Sequence, residues 1–179
     1  SDAFAEIRPD QITSAFPNKK VVGGIDLVGT KYNAASAALA HKIPIPDANP
    51  IDEGGHGTHV AGTVAGVGDG VNTYSGVAPD ALLYAIKVFG ADGSTGDAAV
   101  VAALEYAADP NLDGNPADRL DVVNLSLGSS YGDPHILYTE AIKNLTNGGT
   151  SVVASAGNSG AEDFIVGAPS VADDAISVA

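Results

Sequence analysis

Cysteine is absent from this chain, which excludes a disulfide framework and any thiolate metal site. Basic residues are scarce: 8 Lys and Arg stand against 22 Asp and Glu, a formal net charge of −14. So acidic a surface argues against nucleic acid and anionic membranes as partners. No apolar run reaches membrane-spanning length, no signal peptide is visible and no internal repeat is found. A start at Ser1-Asp2-Ala3, without Met, suggests a processed or recombinant piece. What is present suits a folded domain: apolar residues make up 45% of 179. That length is enough for one domain with a real core and short for two, and the apolar share argues against disorder.

Residues 1–19, broken by Pro9 and Pro17, read as loop. Lys20 to Ile25 reads as a short buried strand. Residues 29–53, rich in Ala, Pro and Asp, form a long surface loop, a feature that in compact domains is usually functional or mobile. Ala81 to Phe89 (ALLYAIKVF), Leu120 to Leu127 (LDVVNLSL), Ser151 to Ala156 (SVVASA) and Ala175 to Ala179 (AISVA) read as strands. Between them, Asp97 to Asp109 reads as an amphipathic helix with Val100, Val101, Leu104 and Ala108 on one face. Asp133-Pro134 opens a second helix running to Asn147, with Asp as N-cap, Pro in the first turn and Gly148 beyond the end. Its inner face would be Leu137, Ala141, Ile142 and Leu145.

Strands that are continuous apolar runs and alternate with helices imply an α/β fold: a three-layer arrangement, a parallel sheet with helices on both faces. In such sheets the functional site lies at the carboxyl ends of the strands. The polar turns after LDVVNLSL and SVVASA fall at that edge.

The organising stretch is Gly54 to Gly66, GGHGTHVAGTVAG. A glycine-rich turn runs into a helix whose Val60, Ala61, Val64 and Ala65 recur at helical spacing. Small residues let this helix press against a neighbour, so His56 is expected at a buried helix N-terminus. The positive end of a helix dipole favours an uncharged imidazole, the form that can act as a base. Taken alone, a histidine so placed is as readily a packed or capping residue.

This one is not alone. HGTHVAGTVAG resembles the catalytic-histidine motif of the subtilisin-like serine proteases, the subtilases or peptidase S8 family. Three further blocks, GVAP with the Lys87-Val strand, VVNLSLG and VVASAGN, follow in the family's order within residues 54–160. The resemblance implies that His56 is the general base, that His59 is a buried structural residue, and that Asn158 donates its carboxamide N–H to the oxyanion. It implies that the backbone of Ser126, Leu127 and Gly128 pairs with a peptide substrate by strand addition. Read bare, Ala-Gly-Asn158 is a turn, and Ser126 to Gly128 a strand end. GVAP and the Lys87 strand read as scaffold.

Asp26 lies 30 positions before His56, close to the spacing of a triad Asp. Its setting, KVVGGIDLV, instead resembles the family strand after the catalytic Asp, and the stretch through Asp52 resembles PA-domain-bearing members. Asp26 is read as noncatalytic, with the orienting Asp upstream of Ser1. Gly149-Thr-Ser151 imitates a nucleophile motif but opens a strand, whereas the nucleophile should open a helix beyond the oxyanion Asn. Asp69 to Asn72 and Asp109 to Asn115 are loops whose oxygens would suit calcium; no cofactor is otherwise required.

The expectation is an incomplete subtilase catalytic domain. Residues 1–53 hold an N-terminal strand and loops, and 54–179 run from the His motif to the oxyanion Asn motif. The parent would be a secreted or envelope-associated endopeptidase acting on polypeptides, and the fragment alone would be inactive for want of the nucleophile. Unpaired sheet edges would invite self-association. Two alternatives stay open: a noncatalytic peptide-binding pseudoprotease module, and a hydrolase with a private Asp26-His56-Ser151 triad.

Overall fold

Among residues 16–72 and 74–179, which the computed structural model describes, five β-strands and three α-helices alternate along the chain. They are β1 (Val21–Asp26), α1 (His56–Ala65), β2 (Leu83–Lys87), α2 (Asp97–Ala108), β3 (Val122–Leu125), α3 (Leu137–Asn147), β4 (Ser151–Ser155) and β5 (Ile176–Val178). The loop reading of residues 1–15 lies outside the described residues. No helix among those described is long and apolar enough to cross a membrane.

Every pairing between the described strands is parallel, as expected of an α/β fold, but the strands form two sheets, not one. β1 pairs with β2, and β3, β4 and β5 pair in that order. The break coincides with a division of the chain inside α2 into two compact units, Ser1–Ala99 and Val100–Ala179.

In the first unit, Ile25, Leu27, Val28, Tyr32, Ala65 and Val88 are buried. The long loop after β1 is not loose. Residues 45–47 run back along 26–28, with Asp47 N donating to Asp26 O at 2.9 Å and Ile45 N donating to Val28 O at 2.9 Å.

The second unit is built on β4. Its alternate residues Val152 and Ala154 are buried, and α3 lies against it. The buried residues of the helix are Tyr138, Ile142 and Leu145, a stripe at helical spacing. Two expectations fail here. Leu137, expected inside, is 72% exposed. The helix also begins after the Asp133-Pro134 pair, because Asp133 Oδ1 accepts the N–H of His135 at 2.8 Å, a local turn that competes with capping. In α2, burial lies along one broad face, Ala99, Val100, Ala103, Leu104, Tyr106 and Ala107, while Val101 and Ala108, expected on it, are half-buried.

Candidate active site

α1 starts at His56 itself. The residue before it, Gly55, sits at φ 85°, a left-handed conformation that glycine adopts at no steric cost. Gly55 has no side chain to cap the helix, and the cap comes from Asp52. Its Oδ1 accepts from Gly54 N at 2.9 Å and Gly55 N at 2.8 Å, and its Oδ2 from Thr58 N at 2.8 Å and the Thr58 hydroxyl at 2.9 Å. Partial desolvation pushes this carboxyl up, but the four hydrogen bonds outweigh it and hold it below the usual Asp range. The capping carboxylate escaped the sequence reading because the glycine turn separates it from the helix. An acidic residue just ahead of a helix pattern was the available signal.

The expected burial of this helix start is corrected. His56 and His59 are both exposed, and Ala65 is the buried residue of α1. Gly57 and Gly62 present no side chain and Thr58 and Thr63 only short polar ones, so little of the helix has apolar surface to bury. The close approach its small residues permit occurs at its far end. There Gly76 N donates to Gly66 O at 2.8 Å and Ala78 N to Val64 O at 2.8 Å. A Cβ on Gly76 would meet Gly66 N at 2.5 Å and Ala65 N at 2.6 Å, so the GVAP run acts as scaffold by satisfying the last carbonyls of the helix.

Asp26 ends β1 with its side chain 2% exposed. Its Oδ1 accepts from Val28 N at 2.8 Å and Gly29 N at 2.7 Å, and its Oδ2 from Lys87 Nζ at 2.8 Å. His56 is not among its partners. The same lysine meets Glu53 Oε2 at 2.6 Å, and Glu53 Oε1 accepts the Thr30 hydroxyl at 2.6 Å. Burial opposes the charge on Lys87, but its hydrogen bonds to Asp26 and Glu53, with their charges, raise it above the ordinary Lys range.

In the second unit, β3 and β4 are parallel neighbours, so the segments that leave their carboxyl ends emerge side by side. One is Ser126-Leu127-Gly128; the other is the turn holding Asn158. Ser126 and Leu127 are half-buried, while Gly128 and Asn158 are exposed. The Ser126 hydroxyl accepts from Asn124 Nδ2 at 2.9 Å. A segment that the sequence reading left unassigned, Ile165 to Ala168, ties the two together. Ala168 N donates to Ser129 O at 3.0 Å, and Gly167 N to Ala156 O at 3.0 Å. Gly128 is required for this approach, since a Cβ there would meet Ala168 O at 2.7 Å. The serines of the two loops also meet, Ser130 Oγ to Ser159 Oγ at 2.8 Å.

Ser151 opens β4, at the opposite end of that strand from Asn158, with its N–H donated to Asp121 O at 2.9 Å. Its neighbour Thr150 is 2% exposed and donates its hydroxyl to Leu120 O at 2.7 Å. The Gly149-Thr-Ser151 run is therefore the seam between α3 and β4, and Ser151 does not open a helix.

The two acidic loops turn their carboxylates onto their own amides. Asp69 Oδ1 accepts from Val71 N and Asn72 N, while Asp109 accepts from Asp113 N and Gly114 N. Among the described residues, no group of three or more His, Asp or Glu side chains is arranged to hold a metal ion.

Residues 28–179 match the Subtilase family of the peptidase S8 type. The chain is 36% identical to subtilisin DY of Bacillus licheniformis over 170 residues, 93% of this chain and 52% of that protein. It is 42% identical to the minor extracellular protease Vpr of Bacillus subtilis (strain 168) over 156 residues, 87% of this chain and 17% of that protein. Among solved structures it resembles sphericase with a TM-score of 0.65 and 33% identity, covering 89% of this chain and 54% of that one. The chain thus spans about half the length of subtilisin DY and of sphericase, and far less of Vpr.

Proposed function

The chain belongs to the subtilase family, and on that footing we propose that it is part of the catalytic domain of a serine endopeptidase acting on polypeptides through an Asp-His-Ser triad. His56 is its general base. It takes the proton of a serine hydroxyl as that oxygen attacks the peptide carbonyl, then returns it to the leaving amine. Asn158 donates its carboxamide N–H to the oxyanion that forms on the carbonyl oxygen. Ser126, Leu127 and Gly128 offer an extended backbone beside it, along which a peptide can pair.

The observation that carries this reading is the setting of His56: first residue of a capped helix, exposed to solvent, within the run GGHGTHVAG. Asp26 has no base-orienting role on this reading, since amides and Lys87 occupy its carboxylate. Ser151 has no attacking role, since it stands at the wrong end of its strand. The nucleophile and the orienting Asp are supplied by the parent protein outside these residues. The VVGGID run and the Pro- and Asp-rich stretch after it support a parent similar to the PA-domain-bearing members. Export follows from the same likeness, one relative being by name an extracellular protease. The exposed Ile176 and Val178 on the edge strand β5 support self-association through a sheet edge.

The purified 179-residue polypeptide is expected to leave a peptide substrate uncut. Hydrolysis that a serine-directed phosphonate abolishes would overturn the assignment of the nucleophile to residues outside it. In the parent reading frame a Gly-Thr-Ser block is expected downstream. Its absence would reject the protease reading in favour of a noncatalytic peptide-binding module.

A further inference from the structure

His56 stands on backbone that has little stiffness of its own. Gly54, Gly55 and Gly57 surround it, and the first turn of any helix is where intrahelical hydrogen bonds are missing. A base must nonetheless be held within a fraction of an ångström of its working position. The structure contains side-chain ties that could do this, all in the first unit. Asp26 and Lys87 end β1 and β2 and are register partners across that pair. Lys87 reaches from there to Glu53 at 2.6 Å, and Thr30 donates to the other Glu53 oxygen at 2.6 Å. The next residue back, Asp52, grips the first turn of α1 through Gly54, Gly55 and Thr58.

We propose that Glu53 is a positioning residue for His56: anchored to the sheet end by Lys87 and to the β1 loop by Thr30, it fixes the segment from which Asp52 caps α1, and so sets where the imidazole stands. The line of force runs from β1 and β2 through Lys87, Glu53 and Asp52 into the helix. No link of it touches a substrate. The catalytic consequence rests on His56 being the base; the geometry does not.

The test uses isotope-labelled 179-residue chain and two variants. Glu53→Ala cuts the tie but leaves the Asp26–Lys87 pair. Amide exchange at Gly54, Gly55 and Thr58 should rise about twofold to fivefold, the expected effect of losing one partly exposed charged tie. Leu27 N–H, bonded to Lys87 O at 2.9 Å, should keep its wild-type rate. The ring cross-peaks of His56 should move, while those of His135 in the second unit should not. Glu53→Gln keeps one of the two oxygen acceptors and should recover part of the protection. Unchanged exchange in Glu53→Ala, an equal rise at Leu27, or no recovery in Glu53→Gln would each overturn the proposal. Failure of the base assignment would leave these outcomes standing and would show instead as turnover surviving His56→Ala in the parent enzyme.

Discussion

Replacing Lys87 by Met removes one charge and strands another. Asp26 and Lys87 have side chains 2% and 10% exposed, so neither is well solvated. Breaking a buried pair by removing one partner costs about 3 to 5 kcal/mol, because the remaining charge is left uncompensated. Here Asp26 would keep the N–H groups of Val28 and Gly29, which places Lys87→Met at the lower end, about 3 kcal/mol. Asp26→Asn is milder. Lys87 keeps Glu53, and the Asn oxygen can still accept the two amides, so the expected cost is about 1 to 2 kcal/mol. The double variant Asp26→Asn with Lys87→Met should be more stable than Lys87→Met alone, since the buried carboxylate is then gone and Glu53, which also loses its lysine, is partly solvated. Lys87 has a raised value in the folded chain. Its contribution is therefore whole below the ordinary Lys value of about 10.4 and is lost only as pH rises through the higher folded value. Measurement at pH 7 captures all of it. Urea unfolding followed by tyrosine fluorescence suits the protein, which has no Trp and whose Tyr32 is 7% exposed in the first unit. If Lys87→Met costs less than Asp26→Asn, or the double variant is the least stable of the three, Asp26 is not held as a buried partner of Lys87. The case against it as a triad member then weakens with it.

Removing the cap by Asp52→Ala should cost about 1 kcal/mol at pH 7. Because hydrogen bonds hold the folded Asp52 carboxyl below its usual range, that difference from wild type should persist above about pH 4 and fade as pH falls below it; urea midpoints at pH 7 and pH 3 that differ equally would refute this. Gly76→Ala would drive a methyl against backbone atoms of Ala65 and Gly66 and should cost about 1 to 3 kcal/mol; an unchanged melting temperature would show that the contact yields.

What could be read from the sequence was what is local and contiguous. Ile142 and Leu145 lie on the buried face of α3 as expected, with Tyr138 in place of Leu137, and α2 ends within one residue of the expected Asp109. The HGTH and AGN runs carry the family resemblance in consecutive residues. Asp133-Pro134 misled because the same pair that can cap a helix also makes a closed turn, and the turn won. His56 misled because small residues permit close packing without requiring it. The ties that hold the site were out of reach for a different reason. Lys87 and Asp26 are 61 positions apart, and neither has a local pattern that announces a partner. Ser129 and Ala168 meet in an isolated bridge, which no periodicity foretells.

The two half-sites are mounted independently. His56 hangs on ties made within the first unit: Asp52 to its own first turn, Glu53 to Lys87 and Thr30, Gly76 to the helix end. Asn158 and the Ser126 to Gly128 run hang on ties made within the second: the β3–β4 ladder and the bridge from Ser129 to Ala168. A change that loosens one mount has no direct route to the other through these bonds, so perturbations should sort by unit. Lys87→Met should raise amide exchange at Thr58 and leave Ala168 N–H, bonded to Ser129 O, at its wild-type rate. Equal acceleration at both amides would mean that the chain opens as one cooperative body, and the settings of His56 and of Asn158 would then have to be explained together.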